Sequence, residues 1–213
     1  MPSPTDPAMP GLRERKKART RAAIQTHALR LFREQGYHAT TIEQIIDAAE
    51  VSETTFFRYF PTKEDVVLQD DLDPLIIEAF HDQPADLTPI QAIRAAIRQQ
   101  FEALTPRQRQ AVQERTSLII AEPALRAAML DQISQTMLLL ADAIAERTRR
   151  PKDDLAVRTI AGSAIGAMLA ALPTLTEDPH ADLSSLVDQA LGYLDPISAH
   201  ISGATASNPL ITS

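Results

Sequence analysis

The chain has 213 residues, which suits one ordinary domain or a small domain joined to a medium one. Hydrophobic residues make up 44% of the sequence and only 6 residues are Gly, so a sizeable core is possible and helices are favoured over sheets. The sequence contains no Cys, which excludes disulfides and thiolate metal sites.

Charge is distributed unevenly along the chain. The net charge of −7 argues at first against a nucleic-acid partner, yet residues 1–40 contain eight Lys and Arg residues against three acidic residues. Residues 64–213 contain 11 basic and 21 acidic residues. A basic N-terminal segment ahead of an acidic remainder predicts an anionic partner for that segment. A solvated helix start would produce the same charge pattern, so this alternative stays open.

The two ends of the sequence differ from the rest. Residues 1–11 are rich in Pro, and neither they nor residues 202–213 have hydrophobic periodicity, so we predict disordered tails. No stretch reaches the roughly 18 apolar residues that a membrane span needs, and the start lacks the apolar core of a secretory signal. We therefore expect a cytoplasmic protein with no membrane partner.

Helical periodicity and capping residues fill the sequence between these ends, and no segment alternates with period two. The pattern predicts an all-α fold of about nine helices. The first runs from about Arg13 to Gln35, where Gly36 ends it. A fourth begins at Lys63 and is interrupted at Pro74. The remaining N-terminal signals are Asp73, the capping boxes Thr88–Gln91 and Thr105–Gln108, Pro123, Asp153 or Asp154, and Asp182.

The second and third predicted helices are short and joined by a tight turn at residues 50–51. The second starts at a capping box formed by Thr40 with Glu43 or by Thr41 with Gln44. The third runs from Glu53 to Phe60, with Phe56 and Phe60 placed to anchor it. Such a pair is typical of a helix-turn-helix, which lays its second helix in the DNA major groove. Short amphipathic helix pairs also occur in ordinary bundles.

These segments resemble a known family. Residues 39–52 read ATTIEQIIDAAEVS and residues 55–65 read TFFRYFPTKED, a pattern that is similar to the signature of TetR-type repressors. The resemblance extends over residues 13–68. It implies three DNA-binding helices, followed by about six helices that bind a ligand and form a dimer. The corresponding segments would be residues 12–72 and 73–201.

The resemblance assigns DNA contacts to several positions of this chain. Thr40 and Thr41 would meet phosphate, as would Tyr59 and Lys63. The full set of expected DNA-binding residues, including two arginines of the first helix, is Arg19, Arg21, Thr40, Thr41, Ser52, Thr54, Thr55, Phe57, Arg58, Tyr59 and Lys63. The partner would be a double-stranded operator with an inverted repeat.

Three positions depart from the family pattern. The family often has Gly where this chain has Glu50, and a left-handed backbone there would cost about 1 kcal/mol. It also often has Gly at the position of Thr54, which changes base readout. Phe57 lies where a Tyr is usual, so a contact there would be apolar, for example to a thymine methyl group.

Residues 73–201 contain a candidate effector site and a candidate dimer interface. Residues 55–61 resemble a subgroup whose C-terminal domain binds acyl-CoA-like ligands. The candidate ligand-binding residues are Phe80, Phe101, Leu104, Arg115, Leu118, Met129, Ile133 and Met137. Core packing or solvation would explain each of them equally well. Small residues and apolar neighbours predict a homodimer interface with Gly162, Gly166, Met168, Leu186, Leu191 and Leu194.

Three functions remain open at this point. The first is a repressor released by a small apolar or acyl-type molecule of unknown identity. The second is a DNA-binding regulator without an inducer, and the third is a helical lipid- or acyl-binding protein without a DNA function. The five His residues have no metal-ligand spacing, and no catalytic motif is present. We expect neither a metal, nor a cofactor, nor an enzymatic activity.

Overall fold

We describe the chain from a computed structural model, which covers residues 12–69, 72–178 and 181–196. The predicted tails, 1–11 and 202–213, lie outside these residues. Within the described ranges the chain forms eleven helices and no strand, which confirms the all-α prediction and adds two helices to the expected number. The chain divides into two compact units after Gln69.

Four helices build the first unit: α1 (Leu12–Gln35), α2 (Ile42–Ala48), α3 (Glu53–Tyr59) and α4 (Lys63–Leu68). Gly36 ends α1 with a φ of +87°, a conformation that suits Gly because it has no Cβ. α1 packs against α2 and α4, and α2 packs against α3. The largest side chains buried here are Ile24, Phe32, Tyr37, Ile45, Phe56 and Phe60.

Short-range capping explains why the three short helices begin where they do. Thr41, not Thr40, forms the capping box of α2 with Gln44. Ser52 caps α3, and Thr62 forms a capping box with Asp65 at α4. α3 ends one residue earlier than predicted, because Phe60 takes an extended conformation ahead of Pro61.

Seven helices build the second unit: α5 (Leu72–His81), α6 (Pro89–Ala103), α7 (Pro106–Ala121), α8 (Pro123–Thr148), α9 (Leu155–Ala171), α10 (Thr174–Glu177) and α11 (Leu183–Gly192). The predicted capping boxes at Thr88 and Thr105 are both present. Asp154 rather than Asp153 caps α9. One hydrophobic core joins α5, α6, α8, α9 and α11, whereas α7 buries none of its residues fully.

The prediction that the fourth helix is interrupted at Pro74 is wrong. The backbone turns extended at Gln69, and α5 already begins at Leu72, so Asp73 is not an N-cap and Pro74 lies in the first turn. Pro is tolerated there because the first helical N–H groups have no partner within the helix. α10 was not predicted, since its single turn after Pro173 is too short to carry a periodic pattern.

None of the described helices combines the length and the apolar character that crossing a bilayer requires.

Candidate nucleic-acid interface and apolar cavity

Buried aromatic rings anchor the helix α3, and its outer face carries both polar and aromatic side chains. The rings of Phe56 and Phe60 are fully buried and anchor the helix to the first unit. At its start, the hydroxyl of Ser52 accepts the backbone N–H of Thr55 at 3.1 Å. This geometry leaves Thr54 and Arg58 exposed and Phe57 42% exposed. These outward side chains can donate, accept or contact apolar groups on a ligand.

A groove of about 800 Å³ lies beside α3, between the start of α1 and the turn that precedes α3. Four of its lining residues are cationic: Arg13, Lys16, Lys17 and Arg58. Thr20 continues the same face of α1. The groove can therefore attract a chain of phosphates, since Lys and Arg neutralise the charge of a nucleic-acid backbone.

The turn between α2 and α3 has the backbone geometry suspected from the sequence. Glu50 has a φ of +52°, in the left-handed region that favours Gly. The N–H of Val51 donates to the carbonyl of Ile46 at 3.2 Å, which closes the end of α2. The turn thus sets the direction in which α3 leaves α2.

A mainly apolar cavity of about 270 Å³ lies in the second unit. Its walls come from α5, α6, α7, α8, α9 and α11 and from Leu172. The apolar part includes Phe101, Met129, Ile133, Ile165 and Met168, and most of these are only half-buried within the protomer. Flexible Met side chains let such a cavity adapt its shape to what occupies it.

A few polar groups also reach this cavity. Arg115, Gln132, Thr116 and Thr136 line it together with Asp73. The hydroxyl of Thr136 donates to Asp73 Oδ2 at 3.1 Å and so joins α8 to α5. An apolar chamber with a small number of polar side chains is the usual composition of a small-molecule site.

The two units match two family models. The model described as "Bacterial regulatory proteins, tetR family" matches residues 24–69, and the model described as "MftR C-terminal domain" matches residues 87–198. The second match covers more than half of the chain.

This chain belongs to the TetR family of bacterial regulatory proteins.

Relatives of this TetR-family chain include the HTH-type transcriptional regulator TcmR of Streptomyces glaucescens, which is 40% identical over 138 residues. That alignment covers 64% of this chain and 57% of TcmR, so the match spans little more than half of the relative. A putative TetR-family regulator from Syntrophomonas wolfei has the same fold, with a TM-score of 0.61 and 22% identity over 92% of this chain and 99% of the other.

A second solved structure with this fold is the regulator FadR from Bacillus subtilis in complex with stearoyl-CoA. Its TM-score is 0.55 and its identity is 22%, over 82% of this chain and 97% of FadR. Both structural neighbours support the TetR-family fold of the chain.

Two of the expected DNA-binding residues form hydrogen bonds within the first unit of this TetR-family chain. Thr40 is 1% exposed, and its hydroxyl donates to the carbonyl of Gly36 at 2.8 Å. Lys63 Nζ donates to the carbonyls of Tyr37 at 2.9 Å and Thr40 at 3.1 Å and lies 4.1 Å from the centre of the Tyr37 ring. The Thr40 hydroxyl is therefore used within the fold, and Lys63 ties α4 to the turn after α1.

The other expected DNA-binding residues divide by exposure. Arg19 is exposed, whereas Arg21 is half-buried, with its guanidinium 5.7 Å from the centre of the Phe60 ring. Thr41 is exposed, as is Ser52. Tyr59 lines the basic groove under the guanidinium of Arg58, at 5.1 Å from the ring centre.

Sequence reasoning omitted part of the groove. Arg13, Lys16, Lys17 and Thr20 were left out of the expected contacts, although their spacing of three, four and seven residues places them on one helix face. That spacing was the available signal.

The expected ligand-binding residues also separate into two groups. Phe101, Arg115, Met129 and Ile133 line the cavity. The other four lie outside its lining: Phe80, Leu104, Leu118 and Met137. Phe80 is 1% exposed in the core, beneath the guanidinium of Arg147. Lining residues that sequence reasoning missed include Val112 and Thr116, because the half-polar helix α7 offered little periodic signal.

The residues expected at a dimer interface also differ in their environments. Leu191 is fully buried within the protomer and so is not open to a partner chain, whereas Met168 is half-buried and lines the cavity. A Cβ at Gly162 would lie 3.7 Å from Met137 Sδ, which makes Gly162 a contact between α8 and α9. Gly166 is exposed, with nothing within 4 Å of its Cβ position. Leu186 and Leu194 are half-buried against the core.

Proposed function

We propose that this chain is a homodimeric transcriptional repressor. Residues 12–72 would bind a double-stranded operator with an inverted repeat, and residues 73–201 would bind a small apolar effector and form the dimer. The observation that carries this proposal is the outward face of α3, Thr54, Phe57 and Arg58, beside the basic groove. Because TcmR is a transcriptional regulator, we assign regulation rather than catalysis to this chain.

Each outward side chain of α3 suits a different part of the major groove. The guanidinium of Arg58 can donate two hydrogen bonds to the O6 and N7 atoms of guanine. Thr54 can donate or accept, and the exposed ring of Phe57 can contact a thymine methyl group. Arg13, Lys17 and their neighbours on α1 would contact phosphates, which position the protein without reading sequence.

Selection of preferred DNA sequences, followed by affinity measurements at several salt concentrations, tests this assignment. Arg58→Ala and Thr54→Ala should change the preferred sequence and cost about 1–3 kcal/mol on the wild-type operator. Arg30→Ala is a suitable control, because Arg30 lies on α1 and pairs with Glu34 at 2.7 Å, away from the groove. Unchanged preferences in both α3 variants would refute the recognition-helix assignment.

Exposed apolar residues support the homodimer. Leu155 and Tyr193 are about three-quarters exposed, and α8 adds exposed leucines at 130, 138 and 139. A second copy could cover these side chains, and it would also supply the second DNA-binding unit that an inverted repeat requires. The small residues of α9, including exposed Gly166, would let a partner helix approach closely.

The cavity of the second unit supports an apolar effector. Its volume of about 270 Å³ is just below the usual range for ligand sites, about 300–1,000 Å³. The residues of α7 that line the cavity are half-buried and not tightly packed in the core, so α7 can shift to admit a ligand. The B. subtilis FadR structure holds stearoyl-CoA, and an acyl chain is accordingly the first class of effector to test.

The effector is tested by titrating acyl thioesters of several chain lengths, with and without operator. An effector that weakens DNA binding tenfold must bind the free protein tenfold more tightly than the complex, a difference of about 1.4 kcal/mol. Val112→Phe should fill the cavity and weaken effector binding while DNA binding persists. Gln110→Phe, exposed on the same helix, should leave effector binding intact. If an acyl thioester binds equally well with and without operator, it is not an inducer of this regulator.

A further inference from the structure

The outer face of α3 carries one aromatic ring that the fold leaves uncovered. Phe57 is 42% exposed, and among the described side chains of the first unit it is the one large apolar group that lies exposed. The rings of Phe32, Tyr37, Phe56 and Phe60 are at most 4% exposed. A single exposed apolar residue is common on protein surfaces. Phe57 differs because it lies on the face of α3 that is proposed to enter the major groove.

Packing against Phe56 holds the ring of Phe57 at the surface. The two ring centres lie 5.4 Å apart with their planes at 89°, which is an edge-to-face arrangement that aromatic pairs prefer. Phe56 is fully buried, and its ring centre lies 6.1 Å from that of Phe60. The interior beneath this part of α3 is therefore already filled, and the ring of Phe57 stays on the outer face.

The chemistry of the major groove limits what the Phe57 ring can recognise. The base edges present hydrogen-bond donors and acceptors in this groove, and the C5-methyl group of thymine is the apolar group among them. A methyl group on the same ring atom is present in 5-methylcytosine. Phe57 has no hydroxyl, so it cannot form a hydrogen bond with a phosphate or a base edge. The C5-methyl group of a pyrimidine is thus the feature that suits this side chain.

The polar neighbours of Phe57 are compatible with a cytosine as well as a thymine. Thr54 is exposed three residues before Phe57 and lies on the same side of α3. Its hydroxyl can donate to O4 of thymine or accept from the N4 amino group of cytosine. Glu53, exposed four residues before Phe57, has a carboxylate that can accept from cytosine N4. A cytosine at this position would therefore have polar partners, and its methylation would decide the apolar contact.

We propose that Phe57 makes the DNA affinity of this protein depend on the C5-methyl group of a pyrimidine, which thymine or 5-methylcytosine can supply. This inference rests on the proposed function, since it needs α3 in the major groove. It adds a response to DNA methylation. Methylation of a cytosine at the contacted position strengthens binding although the base sequence is unchanged.

The first experiment changes the DNA and leaves the protein intact. In the sequence that the wild type prefers, each thymine in turn is replaced by deoxyuridine, which lacks only the methyl group, and each cytosine by 5-methylcytosine. Fluorescence anisotropy gives the affinity of the full chain for each DNA. Burial of one methyl group changes affinity by about fourfold, so one position in each half-site should bind about fourfold more weakly as deoxyuridine or about fourfold more tightly as 5-methylcytosine. Thymine, uracil, cytosine and 5-methylcytosine are then compared directly at that position.

Variants of the protein assign the effect to Phe57. Phe57→Ala should bring the ratio of affinities for methylated and unmethylated DNA close to one, whereas Phe57→Leu should keep part of the preference because its side chain is apolar. Leu75→Ala is the matched control, since Leu75 is an apolar residue of α5 with 44% exposure, and it should keep the wild-type ratio. Lower salt keeps weakly binding variants within range, because phosphate contacts strengthen there. Thermal unfolding verifies that each variant retains the fold.

The outcomes separate this inference from the proposed function. If no position responds to the methyl group in the wild type, or if Phe57→Ala keeps the full response, the inference is refuted. Recognition by α3 then still stands or falls with the Thr54 and Arg58 variants. A response at only one of the two bases supports the methyl contact and identifies its source. If the wild type prefers no DNA sequence, the proposed function fails and the inference fails with it.

Discussion

At the scale of single residues, Glu50 combines an ordinary side chain with a backbone that suits Gly. Its φ of +52° places its Cβ close to the following carbonyl group, and its position one residue beyond the C-cap of α2 is where Gly is usual. The side chain of Glu50 also adds an acidic group to a groove that is otherwise basic. Both effects arise from one residue.

Replacing Glu50 with Gly should relieve this strain. We expect the free energy of unfolding of the first unit to rise by about 1 kcal/mol in urea denaturation. DNA affinity at low salt should also increase, since a like charge facing the phosphates is removed. Glu53→Gly is the control: Glu53 is the first residue of α3 and has no left-handed backbone, so Gly there should relieve no strain and should lower stability. A loss of stability in both variants would contradict the strain at Glu50.

Lys63 and Lys17 separate a structural cation from a phosphate-binding one. Lys63→Met removes two hydrogen bonds from an ammonium to buried carbonyls, and we expect a loss of about 2 kcal/mol in stability with an unchanged salt slope of DNA binding. Lys17→Met should leave stability unchanged and reduce that slope by about one. The measurements are urea unfolding and fluorescence anisotropy. If Lys63→Met instead lowers the salt dependence of DNA binding, Lys63 contacts phosphate as first expected.

At the scale of elements, Arg94 joins α6 to α11. Its guanidinium engages Asp188 and Asp195, and a Cβ at Gly192 would lie 3.4 Å from Arg94 Cζ. Gly192 therefore lies directly beside the Arg94 guanidinium. The hydrogen bonds from Arg94 also hold the pKa of Asp188 below its ordinary value, since they favour the ionised carboxylate.

This lowered pKa predicts how stability depends on pH. Because the pKa of Asp188 is lower in the folded state, its stabilising contribution is present above the unfolded value, about 4, and is lost as the pH falls through the folded value. We expect Asp188→Asn to cost about 1 kcal/mol at pH 7 and progressively less below pH 4. In an Arg94→Gln background, the same substitution should have a much smaller effect at either pH. An effect independent of pH would refute this ionic contribution.

At the scale of the whole molecule, the proposed function requires that two chains associate. Gly166→Arg should prevent the dimer, because a long charged side chain would occupy the face of α9 where nothing lies within 4 Å of the Cβ position. Light scattering should report monomers, and operator affinity should fall because each half-site then binds separately. Asp82→Arg, exposed in the loop after α5, is the control and should remain dimeric. A wild type that is monomeric at micromolar concentration would refute the homodimer itself.

The helix ends were predictable because their causes are local. Capping boxes at Thr88 and Thr105 and the stop at Gly36 depend on residues a few positions apart, and each formed as predicted. Phe56 and Phe60 were predictable as anchors for a similar reason, because four residues bring them to one helix face. The break near Gln69 was not, since no Gly or Pro precedes it closely enough to mark it.

The sequence by itself determined most of the helices, the family and the outward face of α3, because these follow from short-range spacing and from a motif within one segment. Only the tertiary structure decided which polar side chains are consumed inside the fold, as Thr40 and Lys63 are. It also decided that Phe80 packs in the core whereas Phe101 lines the cavity. Such roles depend on contacts between helices far apart in sequence, and an apolar residue carries the same pattern in either place.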